Sequence, residues 1–195
     1  MPHKQEEVRK FISAHRVSFC GLVETKIRSA RSISIAKTLL PGWKFNFNYS
    51  KHHLGRIWIA WDPALLNVSH ISSTTQVIHS KVSILDTQQS FLVSIVYGFN
   101  KDFERVDLWK ELGHFSHTVH ASPWIVMGDF NSVRSPSEIQ GGNSSWSAAM
   151  DDFNTCCFSA EIDDLKFSRH SFTWSNKNPN NPISRKLDRA LINSN

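Results

Sequence analysis

Residues 124–131 read WIVMGDFN, a short apolar run that leads directly into a glycine and two polar residues. The run is too short for a helix, and its continuous hydrophobicity is typical of a strand buried on both faces. Gly128 allows a tight turn, and Phe130 would anchor the loop inward. Asp129 offers a base or an orienting acceptor, and the amide of Asn131 can donate to a phosphate oxygen. A simple turn role for Asn131 is equally open.

The flanking sequence predicts several more helices and strands. Apolar spacing predicts four helices: one beginning near Lys4, one around 33–40 that Pro41 and Gly42 end, one over 102–119 and one over 146–157. Apolar or alternating runs predict strands over 17–23, 44–48, 56–61, 77–85, 91–97, 172–174 and 187–192. Strands outnumber helices and helices separate groups of strands, which predicts an α/β fold, a layered sandwich.

Length and composition indicate one globular domain over residues 1–195. The chain is 40% hydrophobic and 20% charged, which excludes disordered and fibrous classes. Its three cysteines lack the number and spacing of a disulfide framework or a zinc site, which favours a reducing compartment. A polar N-terminus and the lack of a ~20-residue apolar run argue against secretion and membrane insertion. We expect an intracellular protein, plausibly nuclear, with no obligate protein partner evident.

Positive charge is concentrated near the C-terminus. The whole chain has 22 Lys and Arg against 17 Asp and Glu, a net charge of +5. From residue 166 onward the single acid is Asp188, and the basic residues are Lys166, Arg169, Lys177, Arg185, Lys186 and Arg189. This distribution is typical of a protein with one phosphate-facing side. An ordinary solvated surface with a chance bias accounts equally well for the charge.

Three acids end or closely follow strand-like runs: Glu24, Asp129 and Asp188. Strand ends can deliver carboxylates to a common rim, where hard oxygen ligands hold Mg²⁺ with several waters. Each acid could instead cap a turn or a helix. The ten histidines show no pairing that indicates a ligand or a base, and neither a glycine-rich phosphate loop nor a Ser-His-Asp signature is present.

Five short segments occur in an order that resembles the endonuclease/exonuclease/phosphatase superfamily, the DNase I-like fold. They are VETK at 23–26, IVYG at 95–98, WIVMGDFN at 124–131, FTW at 172–174 and KLDR at 186–189. The local sequence, including LPGW at 40–43, is similar to that of the apurinic-type endonuclease domain of plant LINE-type retrotransposons. Nearly the whole chain takes part in the resemblance.

The resemblance implies a four-layered sandwich of two mixed or antiparallel sheets flanked by helices, and hydrolysis of phosphodiesters with Mg²⁺ or Mn²⁺. Carried over residue by residue, it implies that Glu24 is a metal ligand, that Tyr97 contacts the phosphate and that Asp129 orients or deprotonates the attacking water. Asn131 would bind the phosphate and stabilise its developing charge. Thr173 and Trp174 would line the DNA-facing rim, and Asp188 would hold a catalytic histidine.

Two family features are missing from this sequence. The family carries an Asn on a first strand that precedes the helix near Lys4, and a late Ser-Asp-His motif beyond the strand containing Asp188. We therefore expect a domain that is incomplete at both ends. Removing members of an interdependent catalytic set can cost as much as removing all of it, so reduced or absent hydrolysis is expected.

Two other functions are open. One is a catalytically inactive, retrotransposon-derived remnant that still binds DNA through basic and aromatic residues, namely Lys166, Arg169, Trp174, Arg185, Lys186 and Arg189. The other is an unrelated α/β interaction module. The substrate is open among abasic DNA, plain duplex DNA, RNA and smaller phosphoesters, since specificity lies in loops rather than in the fold.

Overall fold

The computed structural model describes residues 2–119, 121–166 and 171–194. It is a mixed α/β structure whose two main sheets are flanked by helices. The chain divides into two compact units, one ending at Phe91 and the other beginning at Leu92. Arg169, predicted to bind DNA, lies outside the described residues. No helix within the described part of the chain is long and apolar enough to cross a membrane.

The first unit has two helices and five strands. They are α1 (Pro2–Ala14), β1 (Phe19–Val23), α2 (Ser29–Leu39), β2 (Lys44–Phe47), β3 (Ile57–Trp61), β4 (Leu66–Ser73) and β5 (Val77–Ile84). Strands β1, β3 and β2 form an antiparallel sheet with β3 in the centre. Strands β4 and β5 form an antiparallel hairpin.

Apolar residues at helical spacing build the core of the first unit. Ile12 of α1 and Leu39 of α2 are buried together with Ala60 of β3. All five residues of β3, the central strand of this sheet, are buried. Helix α2 ends where Leu40 leads into Pro41, which cannot continue a helix. These predicted elements are confirmed to within a few residues.

The hairpin buries a titratable side chain. His79 of β5 is fully buried, and burial, with a smaller contribution from His70, lowers its pKa from 6.5 to about 3. A histidine with a depressed folded pKa contributes stability above its unfolded pKa, and that stability is lost as the pH falls toward the folded value. The folded state therefore favours the neutral form of His79 over the charged form.

We expect the free energy of unfolding to fall by about 1.4 kcal/mol per pH unit between pH 6 and pH 4 because of His79. Urea titrations across this range measure it. His79→Gln should flatten this part of the pH profile, and His114→Gln, which removes an exposed histidine, should leave it unchanged. Equal slopes for the wild type and His79→Gln would contradict the assignment.

The second unit carries the WIVMGDFN stretch. Its elements are β6 (Ser90–Tyr97), α3 (Asp102–Val119), β7 (Trp124–Asp129), β8 (Ile139–Gln140), α4 (Ala148–Ser159), β9 (Asp163–Asp164), β10 (Trp174–Ser175), β11 (Ser184–Arg185) and β12 (Asp188–Ile192). Strands β6, β7, β12 and β9 lie side by side in that order. The β6–β7 pair is parallel, and the other two pairs are antiparallel. Strands β10, β11 and β8 form a separate small sheet.

Aromatic stacking joins the two helices of this unit to the loop after β7. The rings of Trp109 on α3 and Phe153 on α4 stack with centroids 4.7 Å apart. Phe130 lies 5.2 Å from Phe153 and is fully buried. Phe130 thus anchors the loop inward, as its position in the sequence predicts.

The sequence predictions differ from the structure in several places. Strand β4 was not predicted, because its residues LNVSHISS are mostly polar and give a weak strand signal. Within β7, Trp124 and Val126 are buried, but Ile125 and Met127 are half-buried, so this strand is not fully buried on both faces. Trp146 precedes α4 and is 56% exposed, so it does not belong to the apolar face of that helix.

Candidate active site

Strand register brings three predicted site residues to one edge of the mixed sheet. In the parallel β6–β7 pair Tyr97 lies opposite Asp129, and in the antiparallel β7–β12 pair Asp188 lies opposite Asp129. Tyr97 and Asp129 end their strands, whereas Asp188 begins an antiparallel one, so all three lie at the same edge. Of the three acids predicted to share a rim, Asp129 and Asp188 therefore meet at this edge within the second unit.

Gly128 allows this close approach of the strands. Its φ is +140°, and a Cβ atom there would lie 2.1 Å from the Val96 carbonyl oxygen. Any side chain would collide with the backbone of β6 and push apart the strands that carry Tyr97 and Asp129.

Asp129 and Asn131 form a hydrogen-bonded turn. The backbone N–H of Asn131 donates to Asp129 Oδ1 at 2.9 Å. The side-chain Nδ2 donates to the Gly98 carbonyl oxygen at 2.8 Å and to Asp129 Oδ2 at 3.3 Å. Asn131 has a φ of 48°, a left-handed conformation that asparagine tolerates better than most residues. Its amide is thus oriented, with both N–H hydrogens engaged.

Tyr97 and Asp188 differ in accessibility. Tyr97 is 4% exposed, so only a small part of the residue reaches solvent. Asp188 is exposed, and its backbone is fixed by Thr173. The Thr173 hydroxyl oxygen accepts hydrogen bonds from the backbone N–H groups of Leu187 and Asp188, each at 3.0 Å. Thr173 thereby sets where β12 begins.

Trp174 and Arg185 form an exposed pair beside this edge. They lie opposite each other in the β10–β11 ladder, and Trp174 is 44% exposed. Arg185 is also exposed. An aromatic face next to a guanidinium is suited to stacking on bases and to pairing with phosphate.

Lys186 and Arg189 turn inward, unlike Lys166, Trp174 and Arg185, which are exposed. Arg189 is buried, donates to both oxygens of Asp164 at 3.2 and 2.9 Å and forms an ion pair with Glu138. Lys186 Nζ lies 3.1 Å from Asp164 Oδ1. The guanidinium carbon of Arg189 also lies 5.4 Å from the ring centroid of Phe153. These charges are compensated inside the unit, so the basic surface is smaller than the sequence count indicates.

The ion cluster extends to the loop after β7. Arg134 forms ion pairs with Asp163 and, at 3.5 Å, with Asp164. The hydrogen bond from Arg134 holds the pKa of Asp163 below its usual range, and a hydrogen bond from the Asp164 backbone N–H makes a smaller contribution in the same direction. The backbone N–H of Arg134 also donates to Glu138 Oε2 at 2.6 Å. The cluster therefore ties the segment following Asn131 to the strand that carries Asp188.

The cysteines are poor candidates for a nucleophile. Burial raises the pKa of Cys20 and of Cys157 to about 11, and that of Cys156 to about 12. Since the thiolate is the reactive form, these thiols are inert near neutral pH.

Glu24 belongs to the first unit, where it directly follows β1. It has a φ of 54°, and its carboxylate forms an ion pair with Lys26 at 2.7 Å. The loop is anchored by Thr25, whose hydroxyl donates to the Gly55 carbonyl oxygen at 3.0 Å. Among residues 2–119, 121–166 and 171–194, no group of three or more His, Cys, Asp or Glu residues is arranged to hold a metal ion.

A model of the endonuclease/exonuclease/phosphatase family matches residues 1–195. The chain belongs to this family. The assignment confirms the resemblance carried by the five ordered segments. A comparison with curated proteins finds no significant match.

Solved structures show the same fold in other members of the family. The endonuclease domain of TRAS1, a telomere-specific non-LTR retrotransposon, is 11% identical with a TM-score of 0.74, over 97% of this chain and 79% of that chain. D. rerio TDP2, complexed with a single-strand DNA product, is 14% identical with a TM-score of 0.64, and the match covers 97% of this chain and 76% of that chain. A mannosyl-6-phosphatase of Bacteroides thetaiotaomicron is 14% identical with a TM-score of 0.56, over 99% and 77%. The DNase I-like fold class is thus confirmed, and the narrower likeness to plant LINE-type elements stays a prediction.

The family motifs do not include all the residues that shape this site. Arg105 holds the loop whose Gly98 contacts Asn131, and Glu138 and Asp164 neutralise the cations around β12. Arg105 lies in a predicted helix, where an arginine is expected to face solvent. Glu138 and Asp164 belong to no predicted element. Their roles depend on pairings between distant parts of the chain that the sequence does not reveal.

Proposed function

We propose that this chain hydrolyses phosphodiester bonds in DNA at the sheet edge formed by β6, β7 and β12. The observation that carries the proposal is the register that sets Asp129 between Tyr97 and Asp188, with Asn131 hydrogen-bonded to Asp129. A carboxylate acceptor, an amide and a phenol next to one another suit attack by water on a phosphate.

Asp129 would orient the attacking water and accept its proton. Its two carboxylate oxygens accept hydrogen bonds from Asn131, which fix the carboxylate plane and leave lone pairs for a water. As water adds to phosphorus and the leaving oxygen departs, negative charge grows on the non-bridging oxygens. Asn131 and Tyr97 would donate hydrogen bonds to these oxygens. Asn131 would give up its longer hydrogen bond, to Asp129, and donate that N–H to the phosphate instead.

We also propose that Mg²⁺ or Mn²⁺ takes part, with Glu24 as its protein ligand. A half-exposed carboxylate fits Mg²⁺, which commonly uses one or two carboxylates and keeps several waters. When bound, the ion would supply Lewis-acid chemistry. Lys26 already neutralises Glu24, so the ion would compete with this ammonium for the carboxylate.

DNA would contact the exposed pair Trp174 and Arg185, with Thr173 on the same rim. Replacing Arg185 with Gln should weaken DNA binding several-fold and reduce the slope of log K against log salt by about 1, because one phosphate contact is lost. Fluorescence anisotropy with a labelled duplex, measured across a salt series, checks this. Lys10→Gln makes the same charge change on α1 and should bind like the wild type. Equal salt slopes for the wild type and Arg185→Gln would contradict the contact.

A second candidate is DNA binding without turnover. It is favoured by the exposed Trp174–Arg185 pair, which can bind nucleic acid without any catalytic group. It differs from the first proposal in predicting salt-sensitive binding by a protein that leaves the DNA intact.

A plasmid assay separates the two candidates. Supercoiled plasmid and a duplex with one abasic site are incubated with the purified chain and Mg²⁺ or Mn²⁺. Hydrolysis predicts nicked plasmid or cut duplex that disappears with a chelator, and Glu24→Gln should raise the Mg²⁺ concentration needed. Intact DNA in every condition, together with binding that weakens as salt rises, would reject hydrolysis and support the second candidate.

A further inference from the structure

A buried arginine lies in the first turn of α3. Arg105 is 3% exposed, although it belongs to none of the family motifs and lies on a helix that begins at Asp102. Burying a guanidinium costs several kcal/mol unless its N–H groups find acceptors. Its burial therefore points to specific partners.

Those partners are in the loop between β6 and α3. Nη1 of Arg105 donates to the carbonyl oxygens of Phe99 at 2.8 Å and Asn100 at 3.0 Å. Nη2 forms an ion pair with the exposed carboxylate of Asp102. One planar guanidinium thus fixes two successive peptide groups and the start of the helix.

The same loop contacts the Asp129–Asn131 turn through Gly98. The Gly98 N–H donates to the Asp129 carbonyl oxygen at 2.7 Å, and its own carbonyl oxygen accepts from Asn131 Nδ2 at 2.8 Å. Gly98 is also tightly packed, since a Cβ there would lie 2.4 Å from the Phe130 oxygen and 3.3 Å from Arg105 Cδ. A movement of the loop therefore reaches Asn131 directly.

We propose that Arg105 is a positioning residue that sets the orientation of the Asn131 amide through Gly98. If the Gly98 carbonyl turned away, Asn131 would lose the shorter of its two side-chain hydrogen bonds and its amide could rotate. The proposed donation from Asn131 to phosphate needs a fixed amide, so this inference rests on the proposed function for its effect on catalysis. The contact chain itself does not depend on any activity.

The geometry requires an arginine rather than any cation. A lysine ammonium is a point charge on a flexible stem and cannot reproduce the planar fork that reaches two carbonyls and a carboxylate together. Arg105→Lys thus keeps the charge and removes the clamp. Asp102→Asn is a milder variant at an exposed carboxylate, expected to fold and to loosen Arg105 in part.

The test joins one measurement that needs no activity to one that does. NMR follows hydrogen exchange of the Asn131 side-chain amide, and steady-state kinetics on a DNA duplex with Mg²⁺ separates kcat from KM. For Arg105→Lys we expect exchange at least tenfold faster and kcat reduced about tenfold with little change in KM. Asp102→Asn should shift both in the same direction by a smaller factor. Lys101→Ala, in the same loop but exposed, is the matched control and should behave like the wild type.

Unchanged hydrogen exchange of the Asn131 amide in both Arg105→Lys and Asp102→Asn would overturn the proposal. A lower Tm with wild-type exchange and wild-type kcat would also overturn it, because Arg105 would then contribute to stability alone. If Arg105→Lys does not fold, the Asp102→Asn result decides. If the wild type cleaves no DNA, the proposed function fails while the exchange measurement still decides the role of Arg105.

Discussion

Replacing Asp129 with Asn is expected to slow DNA cleavage by about 10²–10⁴-fold, because the attacking water loses its proton acceptor. The substitution keeps the shape of the side chain, and its oxygen can still accept from the Asn131 backbone N–H. The longer contact to Asn131 Nδ2, at 3.3 Å, is lost because two amide nitrogens would then face each other. Single-turnover cleavage with saturating enzyme measures the effect.

The matched control is Asp152→Asn on α4, which removes an exposed carboxylate at a distance in sequence from the Asp129–Asn131 turn. It should cleave at the wild-type rate. Equal rates for the wild type and Asp129→Asn would show that Asp129 has no part in the reaction, whatever the fate of the other assignments.

Replacing Arg189 with Met is expected to lower the free energy of unfolding by about 3–5 kcal/mol. The side chain of Arg189 is fully buried between Asp164 and Glu138, and its removal leaves two partly buried carboxylates with less compensation. Lys186 pairs with the same two acids. Its single positive charge cannot balance both carboxylates once Arg189 is removed. Urea unfolding followed by tryptophan fluorescence gives the change.

Arg31→Met is the control for this prediction, since Arg31 is exposed on α2 and its loss should change stability by well under 1 kcal/mol. A comparably small effect for Arg189→Met would mean that the buried cluster contributes little. The DNA affinity of Arg189→Met is informative as well. If Arg189 bound phosphate, the variant would bind DNA more weakly and keep the stability of the wild type.

Local patterns were enough to predict the elements that contain the site. The helix over 102–119 was placed correctly because Leu108, Leu112 and Phe115 repeat at helical spacing and are buried. Strand β7 was recognised from its apolar run. That Tyr97, Asp129 and Asp188 meet follows from strand register, which no single segment of the sequence contains.

The charges near β12 show where sequence reasoning fails. Counting cations from residue 166 onward predicts that Lys186 and Arg189 face phosphate, but their partners are Glu138, in the turn before β8, and Asp164, in β9. Pairing across such distances depends on the tertiary fold. Arg185, next in sequence to Lys186, is exposed, so the composition of this segment does not separate the surface cation from the buried ones.

The most direct test of the central claim is cleavage of a short DNA duplex by the wild-type chain with Mg²⁺ in water enriched in oxygen-18. If the sheet edge around Asp129 hydrolyses phosphodiesters, the strand is cut and the new terminal phosphate carries one oxygen-18 atom from the attacking water. A duplex that stays intact at every Mg²⁺ and Mn²⁺ concentration, or a product phosphate without the label, would contradict the account.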